Sequence, residues 1–276
     1  MSLVNIKSIM INNLFRLLII LVCALCAFPL FWMLIVSLKS GVLILDPSVW
    51  FFTPTLENYQ DAFFYRNILD YIKNSFIVVV ITTFFSILIG GMAAYGFARF
   101  NFKKREDTAF WILSLRMLPP LATVIPFFVM AHLLKVLDTH IVLIICYMLF
   151  NIPFTIWMMR GFFEEIPEEI EEAAFIDGCS RFQVFIKIVL PLAIPGLIAT
   201  GIFCIINSWN EFVFALFLTS SDAITLPTTV TLFLSISGVA WGEMSAVGVI
   251  TVIPVLIFAM LVQKYMIRGL TFGGVK

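Results

Sequence analysis

Long apolar stretches constrain the fold of this chain more than any other feature of its sequence. Six of them are long enough to cross a bilayer as a helix, which takes about 20 mostly apolar residues. Of the 276 residues, 62% are hydrophobic and 12% are charged, whereas a soluble domain carries about 25% charge. The sequence therefore predicts an all-α, polytopic membrane protein with six transmembrane helices. The stretches lie at about residues 14–36, 75–98, 109–131, 141–162, 188–218 and 244–264.

The stretch at residues 14–36 belongs either to a signal peptide or to the folded protein. It is longer than the apolar region of a signal peptide, and no small-residue cleavage site follows it. We therefore expect a retained helix 1, which either packs functionally against the other spans or serves only as an anchor.

The positions of lysine and arginine predict the orientation of the chain, because cytoplasmic loops are enriched in both. With the N-terminus inside, twelve basic residues fall on the inner side and four on the outer side, while Arg116 lies within the third span. We therefore expect both termini to be cytoplasmic. The inner residues are Lys7, Arg16, Arg99, Lys103, Lys104, Arg105, Arg160, Arg181, Lys187, Lys264, Arg268 and Lys276, and the outer ones are Lys39, Arg66, Lys73 and Lys135.

Charge and motif content exclude several classes of function. The 17 basic residues balance the 17 acidic ones, whereas a nucleic-acid-binding protein has a basic excess. No GxxxxGK[ST] sequence occurs, so we expect no ATP binding through a P-loop. Four of the five cysteines lie in apolar stretches, and His132 and His140 belong to no ligand motif. Neither a disulfide framework nor a metal site is predicted.

Two further segments carry a structural expectation. The second span contains Gly90, Gly91, Ala93 and Ala94, and small residues allow helices to approach closely in lipid. We expect packing there rather than a substrate role. The aromatic outer segment at residues 37–73 suggests a partly ordered cap, which serves either as an interfacial belt or as a docking surface for an external protein.

One polar block interrupts the apolar stretches between residues 172 and 191, with seven specified residues at fixed spacing. Its pattern is E-A-A-x3-G-x9-I-x-L-P, the EAA signature of binding-protein-dependent ABC import permeases. The chain therefore resembles the permease subunits of that family over about residues 55–276. The residues of the pattern are Glu172, Ala173, Ala174, Gly178, Ile188, Leu190 and Pro191.

The segment 164–187 around this block is predicted to form a cytoplasmic helix, a turn and the start of a second helix. It holds seven of the 17 acidic residues, and carboxylates in a first turn complement the helix dipole. We expect the helix to begin with Pro167, the chain to turn at Gly178 and Ser180 to cap the next helix.

Ile170, Ala173, Ala174 and Asp177 follow each other at helical spacing and therefore share one face of that helix. This face is small and shallow, as a helix that fits a groove in another protein must be. Acidic composition alone would fit a solvated connector. The resemblance instead implies a coupling helix that sits in a cleft of the cytoplasmic ATPase subunit. The ATPase-coupling residues that it implies are Glu172, Ala173, Ala174, Asp177 and Gly178.

Charged residues inside spans are costly and usually functional, and two occur here. Glu211 belongs to the run at residues 209–212, which is similar to a run in the fifth helix of sugar-import permeases. Arg116 precedes a Met-Leu-Pro-Pro run in the third span. The two are either a self-sufficient ion pair between helices or part of a polar sugar pathway. The pathway candidates are Trp209, Asn210, Glu211, Arg116 and Asn151.

Consecutive helical residues point about 100° apart, so Trp209, Asn210 and Glu211 cannot all face one cavity. We expect Asn210 to line the pathway and Glu211 to anchor the fold through a polar partner, for which Arg116 is one candidate. Further polar side chains at similar depth are Tyr147, Asn207 and Ser208.

The C-terminal tail, residues 265–276, resembles the G-L-T-x-G-x-V-K tail of the maltose-type permease subgroup. Glycine spacing permits an extended tail, and a frayed terminus is the alternative. The resemblance implies that the tail reaches the interface between the ATPase subunits. The residues involved are Gly269, Leu270, Thr271 and Gly273.

The resemblance implies one transmembrane domain over residues 1–276, with core helices at about 75–264. The chain would be the permease subunit of an ATP-driven ABC importer in a bacterial or archaeal cytoplasmic membrane, and it would translocate a carbohydrate delivered by an external solute-binding protein. Its other partners would be a second, related permease subunit and two ATPase subunits. It is then no enzyme and binds no cofactor, since ATP and Mg²⁺ belong to the ATPase subunits. Import of a sugar phosphate or polyol is one alternative, and a stand-alone secondary carrier is a more distant one.

Overall fold

The computed structural model describes the backbone of residues 3–235 and 238–272, with side chains at 12–234 and 238–263. The fold in these ranges is almost entirely helical, and one short antiparallel hairpin pairs β1 (Leu234–Ser235) with β2 (Gly238–Val239). Short 3-10 helices occur at Gly41–Leu45, Leu115–Met117 and Leu226–Phe233. The α-helices are α1 (Leu3–Ser37), α2 (Glu57–Tyr65), α3 (Ile68–Arg99), α4 (Arg105–Ser114), α5 (Pro120–Leu133), α6 (His140–Glu164), α7 (Glu168–Ile176), α8 (Arg181–Val184), α9 (Leu190–Leu192), α10 (Ile194–Trp209), α11 (Val213–Leu218) and α12 (Trp241–Phe272).

Helix length and composition agree with the predicted membrane fold. Among the described residues, four helices are long and apolar enough to cross a membrane, and two bent pairs raise that number to six if each pair is one span. The single helices are Asn12–Ser37, Ile68–Arg99, His140–Glu164 and Trp241–Gln263, and the pairs are Arg105–Met117 with Pro120–Leu133 and Arg181–Leu192 with Ile194–Trp209.

The third predicted span is not a straight rod, since its two halves meet at 90°. After α4 and a 3-10 turn, Leu118 and Pro119 adopt extended backbone with ψ angles of 124° and 125°. A residue before proline is sterically disfavoured in the helical region. The pair Pro119-Pro120 therefore ends the first half, which carries Arg116 at its end, and starts the second.

The fifth predicted span, at residues 188–218, is not one continuous helix. The chain bends by 76° near Ala193, and α10 ends at Trp209, three residues before α11 begins at Val213. Pro195 explains the bend, because proline lacks the N–H that a helix requires and its ring clashes with the carbonyl four residues earlier.

Contacts among the described residues divide the chain into two compact units. One comprises the chain up to Ile68 together with Val230–Thr251, and the other comprises Leu69–Thr229 together with the residues from Val252 onward. Each unit has its own buried side chains.

The first unit contains α1 and the aromatic segment that follows it. Only 6% of the apolar window of α1 is buried. By contrast, Lys39 is buried, its Nζ donates to the carbonyl of Asp46 (2.9 Å), and it faces the rings of Trp32 and Phe52. The segment after α1 therefore contains packed structure, while its role as a belt or a docking surface stays a prediction.

The second unit brings α3 close to α6 through a small residue, as predicted for the second span. A Cβ added to Gly90 would lie 2.7 Å from the Cβ of Thr155, which leaves no room for a side chain. Ala94, one turn further, is fully buried, whereas a Cβ at Gly91 would meet nothing within 4 Å. Close packing therefore requires Gly90 but not Gly91.

The apolar core of the second unit forms two clusters. The first packs α3, α5, α6 and α11 together, and the second packs the last turns of α3 and α6 against α7 and the chain that follows it. The second cluster is important for the candidate site because it holds α7 in place. The first includes Val78, Leu143, Cys146, Phe214 and Leu218, and the second includes Ala94, Met159, Phe163, Ala174, Val184 and Phe185.

Candidate functional site

The EAA block begins on α7 and continues through the turn after it. Pro167 precedes α7 at the N-cap position, with a ψ of 132°, rather than at the first helical position as expected. Glu168, Glu169 and Glu171 occupy the first turn, where carboxylates complement the positive end of the helix dipole. The helix therefore begins one residue later than predicted.

The turn after α7 requires a glycine. Gly178 has a φ of +86°, in the left-handed region that side chains disfavour. Ser180 then begins α8 with a capping box: its Oγ accepts the N–H of Gln183 (3.3 Å), and Oε1 of Gln183 accepts the N–H of Ser180 (2.8 Å). The predicted turn and cap are both confirmed.

Burial divides α7 into two faces. Glu172 and Ala173 are exposed, and Ile176 is 87% exposed. Ala174 is 6% exposed, because it packs within the second apolar cluster. The expectation that Ala173 and Ala174 share one docking face is therefore wrong. The implied coupling residues that are exposed are Glu172, Ala173, Asp177 and Gly178.

Glu171 is the best-anchored acidic side chain of α7. Its Oε2 accepts the hydroxyl of Tyr95 (2.6 Å), and its Oε1 accepts Nε–H of Arg99 (2.6 Å). Arg99 also donates from Nη2 to the carbonyl of Ile166 (2.7 Å). In the sequence Glu171 is one acid among several. Its spacing of three from Ala174 places both residues on one side of the helix, but the sequence does not show that this side is the buried one.

A cavity of about 210 Å³ lies in the second unit, beside the bends of the third and fifth predicted spans. Its wall combines amide, hydroxyl and charged groups with aromatic rings. Three of the five pathway candidates line it, together with the three further polar residues named from the sequence. The lining residues are Arg116, Leu118, Pro120, Tyr147, Phe150, Asn151, Asn207, Ser208, Glu211 and Phe214.

Helical spacing is the signal that identifies this wall. Asn207 and Ser208 precede Glu211 by four and three residues, and Tyr147 precedes Asn151 by four, so each set shares a helix face up to the end of α10. The Nδ2 of Asn151 donates to Oγ of Ser208 (2.8 Å). Its buried Oδ1 has no hydrogen-bond partner within the described chain, so an acceptor remains available beside the cavity.

Glu211 has its partners in the backbone. Its Oε1 accepts the N–H of Phe214 (3.0 Å), and its Oε2 accepts the N–H of Ala215 (3.3 Å). Both N–H groups belong to the first turn of α11, which has no intrahelical acceptor for them. The carboxylate therefore holds the start of α11 while it lines the cavity.

Arg116 does not pair with Glu211. Within the described chain no carboxylate lies at ion-pair distance from its guanidinium, which stacks over the ring of Phe154 with Cζ 4.4 Å from the centroid. The side chain is exposed and lines the cavity. Its N–H donors are therefore accessible from the cavity.

The three consecutive residues at the end of α10 point in different directions, as helical geometry requires. Trp209 is buried and packs edge-on against Phe76 at 6.4 Å. Asn210 is the exposed C-cap of α10 and is not part of the cavity wall, which Glu211 lines instead. The expectation that Asn210 lines the pathway and Glu211 only anchors the fold therefore does not hold for this cavity.

Asp138, between α5 and α6, fastens the loop that follows α11. Its carboxylate accepts the backbone N–H groups of Ser220, Ser221, Asp222 and Ala223 and both serine hydroxyls. Partial burial opposes ionisation, but these hydrogen bonds outweigh it and hold the pKa of Asp138 well below its usual range. The loop is thus tied to a charged carboxylate.

The implied tail residues lie at the edge of the described chain. α12 continues to Phe272, so the backbone of Gly269, Leu270 and Thr271 is helical rather than extended. Gly273 lies outside the described residues.

The sequence is similar to those of known transport proteins. A family model described as a binding-protein-dependent transport system inner membrane component matches residues 86–272. The trehalose/maltose transport system permease protein of Thermococcus litoralis is 35% identical over 266 residues, which cover 93% of this chain and 94% of that protein. The sulfoquinovosyl glycerol transport system permease protein of Agrobacterium fabrum is 37% identical, covering 90% and 88%. The diacetylchitobiose uptake system permease protein of Streptomyces coelicolor is 34% identical, covering 90% and 91%.

The fold is similar to that of a solved transporter. A bacterial ABC transporter involved in the import of the acidic polysaccharide alginate matches with a TM-score of 0.78 and 22% identity, covering 94% of this chain and 97% of that one. At this identity the likeness concerns the fold alone.

Proposed function

Because the chain belongs to the family of binding-protein-dependent transport system inner membrane components, we propose that it is one of two permease subunits of an ATP-driven importer for a carbohydrate. An external solute-binding protein delivers the substrate. The chain itself performs no catalysis, and two ATPase subunits bind ATP and Mg²⁺. Both termini and α7 lie on the cytoplasmic side of a bacterial or archaeal membrane.

The exposed face of α7 is the observation that carries this proposal. It is a short helix on which carboxylates lie beside an apolar side chain, Ile176, that is 87% exposed. A helix of this kind fits a groove in a partner. We assign the face to the ATPase subunit, with Glu172 opposite a basic residue and Ala173, Asp177 and Gly178 in contact. Closure of the ATPase dimer on ATP then displaces α7 and changes the side to which the pathway opens.

The cavity supports a carbohydrate substrate. Sugars need hydrogen-bond donors and acceptors together with a flat apolar surface, and the wall offers Asn151, Asn207 and Ser208 beside the rings of Tyr147 and Phe150. Two of the relatives are named for trehalose and maltose and for diacetylchitobiose. Asn210, which is exposed, and Trp209, which is buried against Phe76, lie at the same end of α10 outside this wall.

The second permease subunit is proposed on different grounds. The apolar window of α1 is only 6% buried, so most of its surface is available to lipid or to a related subunit. The tail from Gly269 through Gly273 is proposed to reach the ATPase interface, as in the maltose-type subgroup that it resembles.

A sugar phosphate or another anionic sugar is the second candidate substrate. The observation that favours it is Arg116, whose guanidinium lines the cavity without a carboxylate partner in the described chain. A planar guanidinium binds phosphate or carboxylate with paired hydrogen bonds. Replacing Arg116 with glutamine would then abolish uptake of an anionic substrate and leave uptake of a neutral sugar nearly unchanged.

Co-purification tests the proposed function. The chain is expressed with its ATPase and second permease, and each variant is purified through a tag on the chain. We expect Glu172→Lys to remove the ATPase from the complex and abolish uptake, because it places a cation opposite a basic residue. Glu165→Lys is the matched control, since Glu165 is also exposed but lies outside α7. Retention of the ATPase and normal uptake in Glu172→Lys would contradict the assignment.

A further inference from the structure

We propose that Glu171 is a positioning residue that makes α7 and α3 move as one body when the ATPase acts. This inference rests on the proposed docking of α7. We refer to Tyr95, Arg99 and Glu171 together as the α3–α7 lock. Through it the displacement of α7 reaches the second membrane span directly.

The geometry of the lock joins two helices that are distant in sequence. Tyr95 and Arg99 lie one turn apart at the end of α3 and hold the two oxygens of one carboxylate, each at 2.6 Å. Arg99 also binds the carbonyl of Ile166 at 2.7 Å, in the link between α6 and α7. One guanidinium therefore fixes both α7 and its incoming link to the same point on α3.

Burial makes it costly to separate the residues of the α3–α7 lock. The side chains of Arg99 and Glu171 are 8% and 5% exposed, and the ring of Tyr95 packs 4.7 Å from Phe185 and 5.8 Å from Phe163. Separating such a pair leaves uncompensated charge in an apolar site. We therefore expect the lock to stay closed throughout the transport cycle.

Chain connectivity alone does not determine which membrane span moves together with α7. The helix is joined to its neighbours by two short turns, one at Pro167 and one at Gly178, where φ is +86°. Turns of this kind allow a helix to rotate relative to those beside it. The apolar contacts of Ala174 also hold α7, but apolar packing is not directional, whereas the hydrogen bonds of Glu171 fix one orientation.

The experiment measures whether the two helices move together. In the assembled importer, with the native cysteines replaced, spin labels are attached at Ile176→Cys on α7 and Ile89→Cys on α3, both exposed positions. The distance between the labels is measured without nucleotide and with ATP and Mg²⁺ under trapping conditions. We expect one distance in both states of the otherwise unchanged protein. In Glu171→Gln and in Tyr95→Phe the distance should shift or broaden when ATP is added.

The matched control is Glu106→Gln. It removes an ion pair to Arg160 that is equally short, at 2.6 Å, but exposed and outside α7. The distance should stay constant in this control. If Glu171→Gln does not assemble, the milder Tyr95→Phe, which keeps the ion pair, decides by the same criterion.

Two results would overturn the proposal: a distance that already changes with ATP in the otherwise unchanged protein, or one that stays constant in the lock variants. Each sample is also assayed for bound ATPase. Absence of the ATPase from the otherwise unchanged complex would instead remove the docking on which the inference rests, so the two failures are distinguishable.

Discussion

At the scale of single residues, hydrogen bonding separates carboxylates that hold the chain together from groups that are free to meet a ligand. Glu211 binds the first turn of α11, and Asp138 binds the loop after it. Arg116 has no such partner in the described chain, and it lines the cavity. Residue type alone does not make this distinction, because all three are charged residues in or near spans.

Glu211 and its neighbour Asn210 make a matched pair for testing these roles. Glu211→Ala should lower the yield and thermal stability of the assembled protein, because two helix N-terminal N–H groups lose their acceptor, a loss of about 1 kcal/mol. Asn210→Ala should leave both unchanged, because its side chain is exposed at the end of α10 and is not part of the cavity wall. Yield, melting temperature and uptake are measured for both variants. Equal yields and melting temperatures, or a loss of assembly in Asn210→Ala alone, would contradict the anchoring role of Glu211.

Asp138 predicts a defined pH dependence. Its folded-state pKa is depressed, so its contribution to stability is fully present above the unfolded carboxyl pKa of about 3.9 and is lost as the pH falls through the lower folded value. The difference in melting temperature between the unchanged protein and Asp138→Asn should therefore be constant from about pH 8 to pH 5 and shrink in stronger acid. A difference that shrinks between pH 8 and pH 5 would contradict this assignment.

At the scale of elements, the turn after α7 offers a backbone test. Gly178→Ala should destabilise the turn by about 1–2 kcal/mol, because a Cβ disfavours a left-handed conformation, although the added atom would meet nothing within 4 Å. Gly161→Ala is the control, since it also meets nothing within 4 Å but lies inside α6. Thermal unfolding and ATPase retention are measured. Equal stability of the two variants would show that φ at Gly178 is not a constraint.

Hydropathy predicted where the helices lie, but it could not predict how they bend. Proline alone is ambiguous, because Pro126, Pro153 and Pro254 lie inside continuous helices. By contrast, Pro119-Pro120 and Pro195 lie at bends of 90° and 76°. Hydropathy does not separate these prolines, whereas their positions do: Pro119 and Pro120 are consecutive, and Pro195 lies in the first turn of α10, directly after the break.

The candidate site was predictable to a similar extent. The EAA spacing located α7, its glycine turn and the cap at Ser180. It could not distinguish Ala173 from Ala174, or Glu171 from Glu172, because burial against the end of α3 decides which residue of each pair faces outward. The cavity wall was only partly predicted, since the break after Trp209 places Glu211 rather than Asn210 in it.

At the scale of the whole molecule, the proposed importer makes a prediction about the tail. Deleting residues 270–276 should lower uptake or uncouple ATP hydrolysis from uptake, because the tail resembles a segment that reaches the ATPase interface. Hydrolysis and uptake are measured in reconstituted vesicles with the purified complex. Unchanged values for both would indicate a frayed terminus instead.

Cross-linking from α7 to the ATPase tests the central claim most directly. Single cysteines are placed at Ala173 and at Ala174 in a chain whose five native cysteines have been replaced, and the assembled complex is treated with a short reagent that joins the thiol to a lysine amine of the partner. Ala173 is exposed and Ala174 is 6% exposed. We expect Ala173→Cys to cross-link to the ATPase subunit and Ala174→Cys not to. No cross-link from Ala173→Cys, or equal cross-linking from both positions, would contradict the proposal that the exposed face of α7 couples this chain to an ATPase.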